Sequence, residues 1–479
     1  VTVDSATIQF VLFGLTTAIV SNLNQSKMWR SATLLVASLL FLGMLSHEPT
    51  VLLPLLGFLL LGYFGLLLLR RGLPAARACS IVAIILAYVW LKKYTFLPDE
   101  LFIRHPYFTL GLSYIFFRVL HLLIESADGG VIRNITLLQY FLYTLNFTTF
   151  VSGPIQRFDE FARDQFADHP ISLSPSEMWR QLERIILGFF KVNVIAMLLD
   201  AVRLDALADL SQPLSPSFKL YAAFRLTVIY PLFLYANFSG YIDIVIGLAR
   251  LIRVRLPENF DRPFSATSFL DFWNRWHITL STWLKTYVYN PLLMTLMRRF
   301  SSPSMQAYLG VICFFVTFFL VGIWHGRTAE FAFFGVLQGG GVAANKLWQL
   351  WLSQRLGRRR YKALAANPLY GAFARGLTFT WFAFTLFWFW STWAQIQGLT
   401  NSLGSARWIL VLSTIWLCAT AILAGWEWAR HRLLSMQITN APRLTGYARV
   451  AYSTALALAA FVLTVLLNQA APGIVYKAF

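Results

Sequence analysis

The sequence predicts an all-α, polytopic integral membrane protein, organised as one membrane domain over residues 1–479. Three observations predict it. The chain is 57% hydrophobic, 16% aromatic and only 13% charged, where soluble domains carry about 25% charged residues. Its mean hydropathy is +0.59. Apolar runs near membrane length recur from end to end, enough for about ten to twelve crossings, with other segments re-entering or lying at the interface.

In order, the runs fall near residues 6–22, 31–46, 50–69, 77–91, 107–125, 135–152, 183–201, 219–248, 305–324, 329–351, 372–395, 406–426 and 448–468. The first, "ATIQFVLFGLTTAIV", has no basic flank before it and no small-residue cleavage site after it, so it reads as a membrane helix and not a signal peptide. The stretch "MWRQLERIILGFFKVNVI" at 178–195 mixes charge with apolar residues and is predicted to be interfacial. Lys27 and Arg30 follow the first run, and Arg70, Arg71 and Arg77 follow the third. Both loops fall on one side if every run spans, which puts them in the cytoplasm and the N-terminus outside. The basic run "RLGRRRYK" at 355–362 is a solvated topology signal or a contact for an anionic donor or lipid. The net charge of +19 is assigned to loops meeting anionic lipid headgroups, with no nucleic-acid partner. Cys79, Cys313 and Cys418 lie far apart, with no metal-binding or disulfide-framework spacing.

The region 237–291 departs from this apolar pattern. In "NFSGYID", Asn237, Ser239 and Asp243 interrupt an apolar segment. A carboxylate at membrane depth faces a partner or a polar cavity, and both readings stand for Asp243. Ser239 and Gly240 are small enough for close helix packing. Pro257 and Pro263 exclude a long helix across 256–264. Ser268 followed by Asp271 is a helix-start pair, and a helix is expected over 269–288. Phe269, Trp273, Trp276, Leu280, Leu284 and Tyr287 give it an apolar face. Asn274, His277, Ser281 and Lys285 form a polar line, and Asp271 with Arg275 an i,i+4 pair. Such a helix lies at the interface or dips into the protein. His277 alone is read first as a hydrogen-bonded structural residue and second as a catalytic one.

His325 ends the apolar run "VICFFVTFFLVGIWHG". An ionisable residue in such a segment is a functional candidate. A neutral imidazole accepts a proton from an alcohol near neutral pH. Gly322 and Gly326 leave room for backbone or substrate. The alternative is a packing histidine.

The stretch "NFSGYIDIVIGLARLIRVRLPENFDRPFSATSFLDFWNRWHITLSTWLKTYVYNP", followed by "VGIWHG", resembles the membrane-bound O-acyltransferase family. It is most similar to the bacterial branch of alginate O-acetylation and teichoic-acid D-alanylation membrane proteins. "NFTTFVSGPIQRFDEF" at 146–161 matches that branch's Gly-Pro-Ile-x-Arg segment. "LGLSYIFFRVLHLLIE" at 110–125 is similar to its Gly-x-Ser-aromatic stretch. The resemblance covers about residues 105–345. The sequences after Tyr289 and after His325 depart from the alginate-type pattern.

The resemblance implies a ring of membrane helices around a central tunnel in the bacterial cytoplasmic membrane, and acyl transfer to a hydroxyl. His325 matches the family's membrane-embedded catalytic histidine and His277 its second motif position, with Trp324 and Asn274 in the same motifs. Donors to the oxyanion would be Asn274, a protonated His277 or backbone amides. Ser281, four residues past His277, offers a covalent alternative. No bound cofactor is implied. The donor would be a cytoplasmic thioester, acetyl-coenzyme A or an acyl carrier protein. The acceptor would be an extracytoplasmic polysaccharide or a partner, either an SGNH-type esterase-like protein or a small membrane protein. A short acyl group, acetyl first, is expected; D-alanyl from a carrier protein is the alternative. A transporter or flippase is the reading from another class.

Overall fold

The computed structural model describes residues 7–46, 48–73, 75–103, 107, 109–126, 131–300, 302–435, 446–467 and 473. Residues 6, 108 and 468 of the expected segments lie outside the described residues. Helix makes up 81% of the described residues. The described residues contain no strand beyond an isolated antiparallel bridge between Phe260 and Trp276.

The helices run in order α1 (Ile8–Asn22), α2 (Lys27–Leu45), α3 (Leu53–Arg70), α4 (Ala76–Leu91), α5 (Leu112–Glu125), α6 (Leu137–Thr144), α7 (Phe158–Gln165), α8 (Pro175–Phe190), α9 (Met197–Ser211) and α10 (Pro216–Leu251). They continue as α11 (Phe269–Trp273), α12 (Ile278–Leu284), α13 (Asn290–Arg299), α14 (Pro303–His325), α15 (Ala329–Ala365), α16 (Pro368–Thr385), α17 (Phe387–Trp390), α18 (Trp393–Leu403), α19 (Ser405–Ser435) and α20 (Gly446–Leu467).

Among the described residues, six helical runs are long and apolar enough to cross a membrane: Lys27–Leu45, Pro49–Arg70, Pro175–Ser211, Pro216–Leu251, Met305–His325 and Ser405–Arg432. Shorter apolar helices of 10–17 residues include α1 and α4. The runs at 107–125 and 135–152 yield the 14 residues of α5, with Arg118 and His121 buried inside it, and the 8 of α6. The stretch 178–195 belongs to a longer helical run. A π-helical turn at Lys191–Ala196 joins α8 to α9, making one run of 37 residues that is long enough to span. Burial separates the roles of these helices: 83% of the apolar window of α10 is buried in protein, against 17% for Ser405–Arg432. The second therefore turns its apolar surface outward, as a lipid-facing helix does.

The chain forms two compact units. One comprises residues 1–194, 237–258 and 456–479. Its core includes Phe10, Phe13, Phe41, Phe147 and Phe150, packed mostly edge to face. Arg118 is buried and donates to the carbonyls of Tyr143 (3.2 Å), Thr144 (2.8 Å) and Thr149. It thereby satisfies carbonyls at the end of α6 that have no helical partner. The two motifs at 110–125 and 146–161 meet here. Gly111 (φ 76°) lies against the Phe150 carbonyl, and Gly153 (φ 76°) against the Tyr114 ring, and a Cβ on either would collide. Lys92 and Tyr88 both hydrogen-bond the Ser113 hydroxyl, at 2.6 and 3.1 Å. Where α8 crosses α10, Gly188 and Gly240 face each other's carbonyl oxygens with no space for a Cβ, the close approach expected of small residues.

The second unit comprises residues 195–236 and 259–455. Its core includes Ala206, Leu210, Ala222, Leu226, Phe379 and Leu403. Gly376 of α16 sits against the Trp416 carbonyl and Thr420 of α19, which lets that pair pack closely. Side-chain caps start several helices. The Ser268 hydroxyl accepts the Asp271 N–H at 3.1 Å, as expected of that pair.

Candidate active site

His277 and His325 both belong to the second unit. α14 and α15 form a hairpin joined by Gly326, Arg327 and Thr328. Its close approach is set by glycine: a Cβ on Gly322 would overlap the backbone of Gly335, and one on Gly339 would lie 2.5 Å from the Phe315 carbonyl oxygen. His325 is the last residue of α14 and is 1% exposed. Three rings meet its imidazole edge to face: Trp324 at 4.7 Å, Phe389 at 5.2 Å and Phe334 at 6.1 Å between centroids. Gly326 packs against the Phe331 ring, so the residue after the histidine must be the smallest available.

The single helix expected over 269–288 is broken. α11 stops at Trp273, and residues 274–277 turn before α12 begins. His277 takes the left-handed conformation, φ 47° and ψ 52°, which costs a non-glycine residue about 1–2 kcal/mol. Long-range pairing overrides the helical pattern here. Asp261 N–H donates to the Arg275 carbonyl at 2.9 Å, and Ile278 N–H to the Asn259 carbonyl at 3.0 Å. Phe260 meets Trp276 edge to face at 5.1 Å, and Phe272 stacks on Trp276 at 5.6 Å. The Asp271–Arg275 pair forms as expected, at 3.0 Å.

This turn carries His277 beside Trp324, 6.1 Å between ring centroids. Trp324 thus touches both imidazoles, and the structure brings His277, Trp324 and His325 together. His277 is fully buried. It lies outside the spanning helices, and burial pushes its pKa down to about 3, with a backbone hydrogen bond opposing. Burial thus works against the protonated His277 expected as one oxyanion donor.

Asn274 and Ser281 go elsewhere. With Lys285, Trp273, Tyr289 and Thr317 they line a small, partly open cavity whose lining includes neither histidine. The polar line drawn through 274, 277, 281 and 285 thus keeps three members and loses His277 to the turn. Asn274 is exposed. The Ser281 Oγ is buried without a hydrogen-bond partner, so His277 does not activate it in this arrangement.

Asp243 belongs to the first unit and is an ion-paired residue. Its carboxylate takes Arg184 Nε at 2.9 Å and Lys191 Nζ at 2.7 Å, while Arg184 also grips Glu258 at 2.7 and 2.6 Å. Asp243 is half-buried and paired as the structural-pair reading expects.

Two residues of the second unit escaped the sequence reading. Asn259 is buried beside His277, and its side-chain oxygen accepts from the N–H and hydroxyl of Thr279 at 3.1 and 2.9 Å. Gln338, also buried, accepts from Trp273 and donates to Thr385. A lone amide within a glycine-rich helical stretch, "LQGGG", was the available signal for Gln338. Asn259 had none beyond its place between two prolines.

Comparison with known proteins places this geometry. Residues 128–389 match the model of the membrane-bound O-acyltransferase family, a span that includes both histidines and Trp324. A teichoic acid D-alanyltransferase of Streptococcus thermophilus is 31% identical over 243 residues, 50% of this chain and 57% of that protein. A probable alginate O-acetylase AlgI of Pseudomonas fluorescens is 30% identical over 257 residues, 54% of this chain and 48% of its own length. A peptidoglycan O-acetyltransferase of Helicobacter pylori is 30% identical over 213 residues, 44% and 38% of the two chains. The chain thus spans about half the length of the curated relatives it matches. On the match over more than half its residues, the chain belongs to the membrane-bound O-acyltransferase family.

Proposed function

We propose that the protein is a multi-pass O-acyltransferase that moves a short acyl group, acetyl first, from a cytoplasmic thioester donor to a hydroxyl on an extracytoplasmic acceptor. One observation carries the reading: His277 and His325, far apart in sequence, converge on Trp324 inside the family-matched region, both buried. In this reading His325 takes the proton of the acceptor hydroxyl as its oxygen attacks the acyl carbonyl. The tetrahedral intermediate expels the thiolate, which recovers the proton from the imidazolium. Such general-base assistance is worth about 10²–10⁴-fold. The surrounding rings exclude water that would hydrolyse the donor. The donor is acetyl-coenzyme A or an acyl carrier protein, and the acceptor an envelope polysaccharide or a relay partner. The membrane is the bacterial cytoplasmic membrane, with the N-terminus outside.

D-alanyl transfer from a carrier protein is the second reading. The 31% identity to a teichoic acid D-alanyltransferase favours it.

The test is mass spectrometry of base-labile esters on envelope and exported polymers, comparing wild type, His325→Ala at equal membrane level, and a deletion. Loss of one ester in both supports the reading, and its mass identifies the acyl group. Esters unchanged in His325→Ala remove that residue as the base. Esters unchanged in the deletion overturn acyl transfer.

A further inference from the structure

The Asn259 side chain faces one nitrogen of the His277 ring. Its Oδ1 lies 3.1 Å from the Thr279 backbone N and 3.3 Å from His277 Nδ1. A backbone N–H only donates, so the amide atom facing it is the oxygen. Flipping the amide would set an NH₂ group against that N–H. The amide keeps its orientation although Nδ2 is buried without a hydrogen-bond partner in the protein. An acceptor-only oxygen beside His277 Nδ1 requires a hydrogen on Nδ1. A neutral imidazole has a single N–H, so Nε2 is then the lone-pair nitrogen. The Asn259 carbonyl also accepts Ile278 N–H, so one residue holds the backbone just after His277 and the ring itself.

We infer that Asn259 is a positioning residue that fixes His277 in the Nδ1–H tautomer, so that His277 meets the reaction as a hydrogen-bond acceptor through Nε2 and not as an oxyanion donor. The role in reaction rests on the acyl-transfer reading above; the tautomer does not. The consequence is a division of labour. His277 orients the incoming acceptor by accepting a hydrogen bond through Nε2, His325 takes the hydroxyl proton, and the oxyanion depends on other donors.

The experiment is solid-state NMR of the ¹⁵N-histidine-labelled full chain in lipid bilayers, with His277 signals assigned by their loss in His277→Gln. Ester transfer is measured on the same variants. Wild type is expected to show a protonated Nδ1 and an unprotonated Nε2. Asn259→Asp keeps the acceptor oxygen, so Nδ1 stays protonated and most transfer remains. Asn259→Leu populates the Nε2–H form and loses a general-base-sized share of transfer, about 10²–10⁴-fold. A wild-type His277 protonated on Nε2, or a tautomer unmoved by Asn259→Leu, overturns the inference. Should Asn259→Leu fail to reach the membrane, loss of the Nδ1 proton in Asn259→Asp overturns it and retention supports it. The expected tautomers together with unchanged esters in His325→Ala would sink the proposed base and leave the Asn259 assignment standing.

Discussion

Gln338 of α15 holds Trp273 of α11. The indole N–H donates to Gln338 Oε1 at 3.3 Å, and the Gln338 amide donates onward to the Thr385 hydroxyl at 2.8 Å. One buried side chain therefore ties three helices of the second unit. Gln338→Leu leaves the Trp273 N–H buried without its acceptor, at a cost of about 1–3 kcal/mol. The expected outcome is a lowered thermal midpoint in detergent. An unchanged midpoint would mean the network contributes nothing to stability.

The glycine run 339–341 separates packing from propensity. A Cβ at Gly339 meets the Phe315 carbonyl, and one at Gly341 meets Trp381 and Phe269, but one at Gly340 meets nothing within 4 Å. Gly340→Ala should be neutral or stabilising by up to about 1 kcal/mol. Gly339→Ala and Gly341→Ala should each lose about 1–3 kcal/mol to overpacking. Comparing folded yield across the three variants checks this; equal effects would contradict it.

Asp243 anchors two cations, so its loss should act on stability. Removing a hydrogen-bonded charge of this kind costs about 1.5–3 kcal/mol. Asp243→Ala is expected to lower the thermal midpoint, and surviving folded protein should keep its specific ester transfer. A folded, stable variant without transfer would return Asp243 to the functional site.

His277 gives the fold a calculable acid sensitivity. Its folded pKa near 3 lies below the ordinary imidazole value of 6.5. Between those values the unfolded chain binds a proton that the folded chain refuses, so stability falls as pH drops through 6.5 toward 3. The His277→Gln variant lacks this term. Its stability should fall less steeply than wild type over that interval when thermal midpoints are measured from pH 7 to 4. Parallel slopes would contradict the buried neutral imidazole.

The sequence made His325 legible because a titratable residue closing a long apolar run is costly to bury and is rarely kept without a use. The Ser268 cap and the Asp271–Arg275 pair were legible because both are local. The turn at His277 was not. Its helical periodicity is real and is overridden by pairing between residues 259–261 and 275–278, a contact that local spacing does not encode. The same limit applies to Asp243, whose partners Arg184 and Lys191 lie on a different helix, and to Gln338, which finds Trp273 only after the hairpin folds.

The seat of His325 at the end of α14 also limits where a proton on it can go. The imidazole is 1% exposed and ringed by Trp324, Phe334 and Phe389. A proton taken there has no direct path to bulk water, so chemistry based on it would return the proton within the pocket, to the group that leaves.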